Sequence, residues 1–435
     1  MTSQTFYVKS YGCQMNVYDS EKICSFLKQE GMNEKNNIDD ANIVVFNTCN
    51  IRDKAAHKVY SDIGRVSKKD SNKIIAVVGC VAQAENYEMF NKSKDIDIVL
   101  GPQSYHLLPK MLKDIKLQEK QINTEFIINE KFDYLSEERK LKGISSFVTI
   151  QEGCDKFCSF CVVPFTRGPE YSRSIRDIKE EVLAMTNKGA REIILLGQNV
   201  NAYNHQAGSK LSRLSDLINE LSEIKDINRI RYTTSHPINM TEDLISLYGS
   251  NKKLMPFLHL PVQSGSDQIL KKMNRKYSSK DYKNIINKLR KFNPDIQISS
   301  DFIVGFPGET DRDFDDTLNL INEIKFTQSY SFIYSERPGT KASFDSDLTS
   351  IDIKKQRLKI LQNQLQSIQL EFNKKFCNKD VKVLVENRSS SNPEYFFGRT
   401  PYMQSVYIKA NSLKPGIEVK CKINSCNHKS LYATF

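Results

Sequence analysis

The chain has 435 residues, with 63 lysines and arginines against 52 aspartates and glutamates, and a formal net charge of +11. Its 39% hydrophobic and 26% charged content is typical of a folded protein of about three domains and excludes a disordered or collagen-like chain. No apolar run reaches the roughly 20 residues that cross a bilayer, and residues 1–10 lack the pattern of a secretory signal. Ten cysteines then indicate metal or thiol chemistry in a reducing, cytoplasmic setting rather than a disulfide scaffold.

The first part of the chain alternates short β-rich runs with helical ones. Apolar, β-branched runs at 43–49 and 74–80 are typical of strands buried in a parallel sheet, and residues 5–13 form another candidate strand. Helical patterns lie between and after them, at 18–31, 54–67 and 82–90. The alternation predicts right-handed βαβ units and a doubly wound α/β domain over residues 1–120.

A charged, irregular stretch follows, from about residue 113 to residue 143. We predict a solvated linker at 121–143, with a functional segment as the alternative.

The middle of the chain, residues 144–374, repeats a strand–helix rhythm about six times. Eight such units would make a closed barrel, so six predict an open, partial (β/α)6 barrel. The candidate strands are at 145–150, 192–198, 229–234, 257–263, 296–306 and 329–335, and helical patterns lie at 178–189, 214–224, 279–292 and 311–324. A long helix follows, with an apolar stripe at Leu358, Leu361, Leu365, Ile368 and Phe372. The stripe is short, which favours packing on the barrel over a coiled coil.

The last 61 residues, 375–435, show five short candidate strands separated by Asn, Ser, Pro and Gly, which predicts a small, OB-like β-barrel. Ten of these residues are Lys or Arg and four are Asp or Glu, so this segment carries +6 of the net charge. It also holds eight aromatic residues, and basic and aromatic residues together are typical of a nucleic-acid surface. We expect about half of the aromatics to build the core of the barrel.

The strongest local signal is GCDKFCSFC, which spaces Cys154, Cys158 and Cys161 as C-x3-C-x2-C. It follows the first predicted barrel strand, where a barrel places its catalytic loops. A structural zinc site normally has four protein ligands, and no fourth Cys or His lies nearby. Three cysteines can instead hold an iron–sulfur cube and leave one iron open to an exogenous ligand.

A second trio is dispersed in the sequence. Cys13, Cys49 and Cys80 each stand at the carboxyl end of a predicted strand of the first domain. In an open parallel sheet those ends lie along one edge, where ligands collect. The positions therefore predict a second metal site.

The other four cysteines receive no chemical role. Cys24 lies in an apolar helical stripe and is predicted to be core, while Cys377, Cys421 and Cys426 belong to the terminal barrel and lack a His-paired zinc pattern. The chain also lacks the HExxH, GxSxG and GxxxxGK[ST] motifs, and no catalytic side chain is assigned.

The spacing of Cys154, Cys158 and Cys161 resembles the signature of radical S-adenosylmethionine (SAM) enzymes. The wider sequence resembles their methylthiotransferase branch across essentially the whole chain, through SYGCQMN, FNTCNIR, VVGCVAQ, EGCDKFCSFCVVPFTRGPEYSRS, LLGQNVNAY, TSHP, FLHLPVQSGS and ISSDFIVGFPGET. Within that branch, GCQMN, CVVPFTRG and GQNVNAY are most similar to bacterial members that modify isopentenyladenosine in tRNA. One departure is RPGTKAS at 337–343, where the family more often has Pro-Ala-Ala after the Thr.

The resemblance implies a function and its cofactors. It implies methylthiolation at C2 of N6-isopentenyladenosine at position 37 of tRNA, with two [4Fe–4S] clusters and SAM. Cys13, Cys49 and Cys80 would then ligate an auxiliary cluster, and Cys154, Cys158 and Cys161 the radical cluster. The terminal barrel would be a TRAM domain that grips the anticodon stem–loop. We further expect an electron donor such as a flavodoxin or ferredoxin, no membrane partner, and a monomer.

Polar residues at barrel strand ends are candidate SAM contacts, with turn or cap chemistry as the alternative for each. Phe160, between two predicted cluster ligands, is a candidate neighbour of the adenine. The strand-end candidates are Gly197, Gln198, Asn199, Ser235, Gln263, Ser300, Asp301 and Gly305. Arg167, Arg173 and Arg176 follow the cluster motif and are candidate contacts to tRNA phosphates.

Other functions remain open at this point. Sister methylthiotransferases act on threonylcarbamoyladenosine in tRNA or on an aspartate of a ribosomal protein. An alternative of another class is a non-catalytic iron–sulfur protein that binds RNA and senses redox state. A zinc-stabilised RNA-binding module is a third. The sulfur donor, the physiological reductant and the set of tRNAs modified are not encoded in any recognisable motif.

Overall fold

A computed structural model describes residues 4–50, 53–115, 120–126, 139, 141, 143–346, 348–390 and 392–435, with the backbone alone at 53–57. The chain forms two compact units. The first comprises Met1–Lys140, Gln151–Lys156 and Val162–Arg173, and the second Leu141–Ile150, Phe157–Cys161 and Ser174–Phe435. Two short segments beyond the predicted boundary at 143/144 are thus built into the first unit.

The first unit is built on a parallel sheet. Its strands, in spatial order, are Asn33–Glu34, Thr5–Ser10, Ile43–Thr48, Ile74–Gly79, Ile98–Leu100 and Gln121–Asn123. The helices of the unit are Gln14–Gln29, Asp53–Lys69, Cys80–Glu85, Glu88–Lys92, Leu108–Asp114 and Val163–Arg167, and a short antiparallel pair joins Gln151–Glu152 to Tyr171–Ser172. Numbered along the chain, the strands lie in the order 2-1-3-4-5-6. This is the order of doubly wound folds whose switch point lies between the first and third strands.

Apolar residues cover both faces of this sheet. Ile43 and Val45 pack into one core, while Val44 and Phe46 pack into another on the opposite face. Successive side chains of a strand point to opposite faces, so a strand buried on both sides needs a continuous apolar run. The run IVVFNT meets that requirement.

The sheet is larger than the sequence patterns predict. The short strands Asn33–Glu34, Ile98–Leu100 and Gln121–Asn123 are not among the predicted ones. The last of them corrects the predicted linker, whose first three residues pair with Ile98–Leu100. Most of the remaining predicted linker, 127–138, 140 and 142, lies outside the described residues.

The second unit begins with the partial barrel, whose predicted class is confirmed. Its parallel pairings run from Ser145–Thr149 through Glu192–Leu196 to Arg229–Tyr232, then between Phe257–His259 and Gln297–Ser299, and between Asp301–Val304 and Tyr330–Ile333. Bridges at Ile230–Leu254 and Gln263–Phe302 connect these groups. The predicted fifth strand is thus interrupted at Ser300.

Helices surround these strands. They are Ile175–Asn187, Leu214–Ser222, Glu242–Ser250, Asp267–Lys272, Ser279–Phe292, Asp311–Ile324 and Ile351–Lys374. Side-chain caps start several of them: Ser278 with Asp281 and Thr310 with Asp313 form capping boxes. The long helix buries Leu361, Leu365 and Ile368 in the barrel core, as predicted. The helix at Glu242 and the hairpin Asn204–Ala207/Lys210–Arg213 were not predicted.

The C-terminal part is the predicted closed barrel. Its strands Asp380–Arg388, Tyr395–Arg399, Ser405–Lys409, Ser430–Thr434 and Glu418–Cys426 follow one another in that spatial order. Val383, Val406, Ile408 and Leu431 fill the interior, and the alternate residues face outward. Of the described helices, none combines the length and the apolar character that a bilayer span requires.

Candidate functional site

The predicted auxiliary site lies at the carboxyl edge of the first sheet. Cys13 precedes the helix Gln14–Gln29, Cys49 directly follows the strand Ile43–Thr48, and Cys80 begins the helix Cys80–Glu85. The strands leading to Cys13 and Cys49 are neighbours in the sheet, although a helix and a strand separate them in sequence. This is the switch point of the sheet, where doubly wound folds bind ligands.

Cys13 and Cys49 are in direct contact. A hydrogen bond from Cys49 lowers the pKa of the Cys13 thiol to about 6, with help from the charge of Arg167 and against the effect of burial. Gly12 makes the contact possible, because a Cβ there would lie 2.2 Å from Cys49 Cβ and 2.7 Å from its Sγ. Asn16 braces the same turn, since its amide donates to Asn47 Oδ1 at 3.1 Å and to the Thr48 carbonyl at 2.8 Å.

Cys80 joins the same edge through an equally tight turn. A Cβ on Gly79 would lie 2.5 Å from the Thr48 carbonyl oxygen, so only glycine lets this strand end beside its neighbour. Thr48 Oγ1 in turn donates to the Val78 carbonyl at 2.6 Å. Burial raises the pKa of the Cys80 thiol, and the positive charge of Arg167 opposes that shift.

Arg167 is a structural partner of this site and not a surface residue. It is 2% exposed, and its Nε donates to Cys80 Sγ at 3.2 Å. Its other two nitrogens bind Glu152 and, at 2.8 Å, Asp19. Both carboxylates are buried as well. The predicted contact between Arg167 and tRNA phosphates is therefore wrong.

The donor set suits an iron–sulfur cluster. In the described part of the chain, no group of three or more His, Cys, Asp or Glu side chains surrounds a site for one metal ion. Cys13, Cys49 and Cys80 instead line a sheet edge, with a thiol of lowered pKa and a cation directed at another sulfur. Thiolates are the ligands that such clusters use.

The motif cysteines are divided between the units. Cys154 belongs to the first unit, where its N–H donates to the Gly168 carbonyl at 3.1 Å. Cys158 and Cys161 belong to the second, where the Cys161 N–H donates to the Cys158 carbonyl at 2.9 Å. The assignment of all three to one cluster stays a prediction, which depends on their spacing in the sequence.

Backbone and side-chain bonds hold the 157–161 loop inside the second unit. Ser159 binds the carbonyls of Met273, at 3.1 Å, and Lys272, at 2.8 Å. The Ala342 N–H donates to the Ser159 carbonyl at 2.8 Å. The segment that departs from the family pattern thus contacts this loop through its backbone.

A second buried arginine contacts the motif. Arg275 is 7% exposed and donates from Nη1 to Cys158 Sγ at 3.3 Å. Its Nη2 donates to the Pro261 carbonyl and its Nε to Tyr277 Oη, both at 2.8 Å. Tyr277 Oη donates onward to the Val262 carbonyl at 3.0 Å. Arg275 therefore ties Cys158 to the segment that leads to Gln263.

The candidate SAM contacts differ in what the structure assigns them. Ser235 Oγ is buried and makes no hydrogen bond within the described part of the chain. Gln263 is 8% exposed and has a left-handed backbone with φ of 77°, which for a non-glycine residue is a strain typical of functional positions. The amide of Asn199 donates to Asn239 Oδ1 at 3.2 Å. Gly197 is buried and Gln198 half-buried beside it.

Other candidates are engaged in the fold. Ser300 is fully buried, and its hydroxyl accepts from the Val262 N–H at 2.9 Å, which is the turn chemistry named as its alternative. Asp301 lies 3.6 Å from His259 Nε2, and the Gly305 N–H donates to Glu309 at 2.8 Å. Phe160 packs at the edge of a small apolar cluster that includes Met273.

Among the other arginines of the prediction, Arg173 is buried at 4% exposure, which contradicts its phosphate role. Arg176 is exposed and pairs with Asp177 at 3.4 Å.

Of the unassigned cysteines, Cys24 is buried in the core as predicted. Cys377 Sγ lies 3.4 Å from Cys426 Sγ.

Sequence reasoning missed Arg275, Asp19 and Glu152. Arg275 lies 114 residues beyond Cys161 in MNRKY, and no spacing rule connects it to the cysteine motif. A signal did exist for the turns, because a glycine directly precedes Cys13, Cys80 and Cys154.

Three family models match the chain. They are the Radical SAM superfamily at residues 148–321, Uncharacterized protein family UPF0004 at 5–101, and the TRAM domain at 374–435. Solved structures of similar fold include the radical S-adenosylmethionine methyltransferase TsrM from Kitasatospora setae with cobalamin and a [4Fe–4S] cluster bound, with a TM-score of 0.60 at 12% identity over 79% of this chain and 77% of that one. The cobalamin-dependent radical enzyme OxsB gives a TM-score of 0.54 at 11% identity over 83% and 56%. Fold and cysteine motif together define a radical SAM enzyme.

Curated relatives narrow the class. The tRNA-2-methylthio-N(6)-dimethylallyladenosine synthase of Rickettsia canadensis (strain McKiel) is 51% identical over 432 residues, which is 97% of this chain and 96% of the relative. The synthase of the same name from Rickettsia rickettsii (strain Sheila Smith) is 49% identical over 440 residues, 99% of each chain. The chain belongs to the tRNA-2-methylthio-N(6)-dimethylallyladenosine synthase family, the methylthiotransferase branch of the radical SAM enzymes.

Proposed function

We propose that the chain adds a methylthio group to C2 of N6-isopentenyladenosine at position 37 of tRNA. The observation that carries the proposal is the roughly 50% identity to synthases of this activity over nearly the whole chain. Full-length identity at this level favours the isopentenyladenosine substrate over those of the sister methylthiotransferases.

Two [4Fe–4S] clusters and SAM are the cofactors of this proposal. When bound, they supply the one-electron chemistry that activates an unreactive ring carbon. Cys13, Cys49 and Cys80 would hold the auxiliary cluster at the switch point of the first sheet. Cys154, Cys158 and Cys161 would hold the radical cluster, and three ligands leave one iron for SAM.

Two residues have the strongest structural support as SAM contacts. Ser235 offers a buried hydroxyl with no described partner, and a buried polar group without a partner is costly unless a ligand satisfies it. Gln263 has a strained backbone at the end of a barrel strand. Gly197, Gln198, Asn199, Asp301 and Phe160 remain proposed contacts, whereas the Ser300 hydroxyl is already bonded within the fold.

The terminal barrel carries the surface proposed for tRNA. Phe397, Tyr407 and Tyr432 are cross-strand neighbours on its outer face, with ring centroids 5.6 and 5.8 Å apart. The Arg399 guanidinium lies 5.2 Å from the ring of Phe397. Arg399 also pairs with Glu386 at 2.9 Å, so the argument depends on the rings: aromatic faces stack on bases, and this row suits an RNA loop such as the anticodon stem–loop.

The remaining partners follow from the chemistry. Reduction of a cluster needs an electron donor, for which we propose a flavodoxin or ferredoxin. We also propose a cytoplasmic monomer.

Nucleoside mass spectrometry of tRNA tests the substrate and the reaction together. Cells lacking the protein should lose 2-methylthio-isopentenyladenosine and accumulate isopentenyladenosine. Persistence of the methylthio nucleoside would contradict the proposal, and loss of the threonylcarbamoyl derivative instead would favour a sister enzyme. Absence of 5′-deoxyadenosine when the reduced, iron-loaded protein is given SAM would favour the redox sensor.

The outer aromatic row gives a test of the tRNA surface. Tyr407→Ala should weaken tRNA binding by roughly 5- to 150-fold, because one stacked base contributes about 1–3 kcal/mol. Filter binding at fixed salt measures the effect. Tyr87→Ala, which removes an exposed ring from the first unit, is the control and should bind as the unmodified protein does. Equal tRNA affinity of the two variants would exclude the outer aromatic row as a tRNA-binding surface.

A further inference from the structure

Each predicted cluster site has one cysteine bonded to a buried arginine, and the two arginines differ in their other partners. Arg167 binds Cys80 together with the carboxylates of Asp19 and Glu152. Arg275 binds Cys158 together with a backbone carbonyl and a phenol. Within the described residues, no carboxylate forms an ion pair with Arg275.

When an arginine has no carboxylate partner, no neighbouring negative charge offsets its effect on the sulfur that it faces. The guanidinium of Arg275 is buried and always protonated, and in such surroundings a charge acts more strongly than in water. Charge and hydrogen bonds at the ligand sulfurs are among the factors that set the reduction potential of a cluster. A nearby cation stabilises the reduced state, which carries one more negative charge.

We infer that Arg275 is a positioning residue of the radical site, which holds Cys158 and raises the reduction potential of the cluster bound there. The inference depends on the proposed function, because it takes Cys158 as a cluster ligand. The same arginine bonds Pro261, two residues before Gln263, and so keeps the ligand sulfur in register with a proposed SAM contact.

The test is a redox titration of the full-length, iron-loaded protein with dithionite under anaerobic conditions, followed by electron paramagnetic resonance. Cys158→Ala identifies which signal belongs to the radical site. Arg275→Met should move the midpoint of that signal to a more negative potential, and Arg275→Lys should give an intermediate value. Arg229→Met is the matched control, because Arg229 is also a buried arginine of the same unit and bonds Glu418 and the Arg399 carbonyl but no cysteine. The midpoint of this variant should equal that of the unmodified protein.

Arg275→Met with full iron content and an unchanged midpoint would overturn the inference. If the Met variant does not retain its cluster, Arg275→Gln decides, because glutamine removes the charge and keeps a hydrogen-bond donor: a more negative midpoint supports the inference and an unchanged one overturns it. Failure of the unmodified protein to bind a reducible cluster would contradict the proposed function itself. Two fully loaded clusters whose midpoint potentials are the same with and without Arg275 would contradict only the inference.

Discussion

The two cysteine regions use the same pair of residue types under different electrostatic conditions. At Cys80, two buried carboxylates bind the same arginine and partly offset its charge, and all four groups belong to the first unit. At Cys158, the bonded arginine has neutral acceptors only among the described residues. The arginine at Cys80 therefore acts on sulfur with a charge that carboxylates partly offset, whereas the arginine at Cys158 acts with a charge that no described carboxylate offsets.

The physical reason is the cost of burying charge. A buried ion pair returns little net stability, but removal of one partner leaves an uncompensated charge in a medium that solvates it poorly. Arg167 is therefore needed by its carboxylates as much as by Cys80. Arg275 leaves no buried carboxylate behind when it is replaced.

The largest expected effect comes from the cysteines themselves. Cys80→Ala and Cys158→Ala should each lower iron and sulfide from about eight to about four per chain, because each removes a ligand of a different cube. Cys158→Ala should also abolish formation of 5′-deoxyadenosine from SAM, while Cys80→Ala should retain it and lose the methylthio product. Iron analysis and chromatography of both products measure this. Cys24→Ala, a change in the core outside both trios, should keep all the iron, and retention of about eight irons by Cys80→Ala would remove that cysteine from the site.

The next effect concerns stability and separates the two arginines directly. Arg167→Met should reduce the free energy of unfolding by about 3–5 kcal/mol, because Asp19 and Glu152 are buried and both lose the ion pair with Arg167. Arg275→Met should cost less, about 1–3 kcal/mol, since it leaves only neutral acceptors unbonded. Urea unfolding of the iron-free proteins gives both values. The triple variant Arg167→Met, Asp19→Asn, Glu152→Gln should recover part of the lost free energy of unfolding. Equal losses in Arg167→Met and Arg275→Met would contradict the electrostatic difference between the two arginines.

A smaller, more local change sharpens the geometry of the first site. Gly12→Ala should prevent loading of the auxiliary cluster, because the new methyl group would occupy the volume of Cys49 Cβ and Sγ. Gly31→Ala is the control: Gly31 also has a positive φ, of 78°, but a Cβ there meets nothing within 4 Å. It should cost only about 1–2 kcal/mol of backbone strain and keep about eight irons per chain. Full iron content in Gly12→Ala would show that cluster binding does not require Cys49 to lie against Gly12.

Patterns along the chain predicted most of the fold correctly. Long helices with caps, such as Ser279–Phe292, and continuous apolar strands, such as Ile43–Thr48, carry their signal locally. The three-residue strands Ile98–Leu100 and Gln121–Asn123 were missed, because so short a run has no periodicity to detect. Their pairing comes from the neighbouring strands of the sheet.

The partners of the buried arginines could not be predicted from local sequence patterns. Arg167 follows a cysteine motif in a basic protein, and that local pattern predicts a phosphate contact. The helix Val163–Arg167 packs instead against Cys80–Glu85 in the first unit, and the arginine binds two carboxylates that lie 148 and 15 residues away in the sequence. No one-dimensional pattern contains that set of contacts.

The residue types of the chemistry can be read from the sequence: two trios of cysteines, a glycine before three of them, and a basic, aromatic C-terminal segment. These follow from spacing and composition, which survive without coordinates. Which sulfurs receive a buried cation, and whether carboxylates offset its charge, follows from the fold alone, because burial and pairing depend on residues brought together from distant parts of the chain. The net charge of +11 pointed toward a phosphate-bearing partner, yet two of the arginines within it, Arg167 and Arg275, are directed at sulfur.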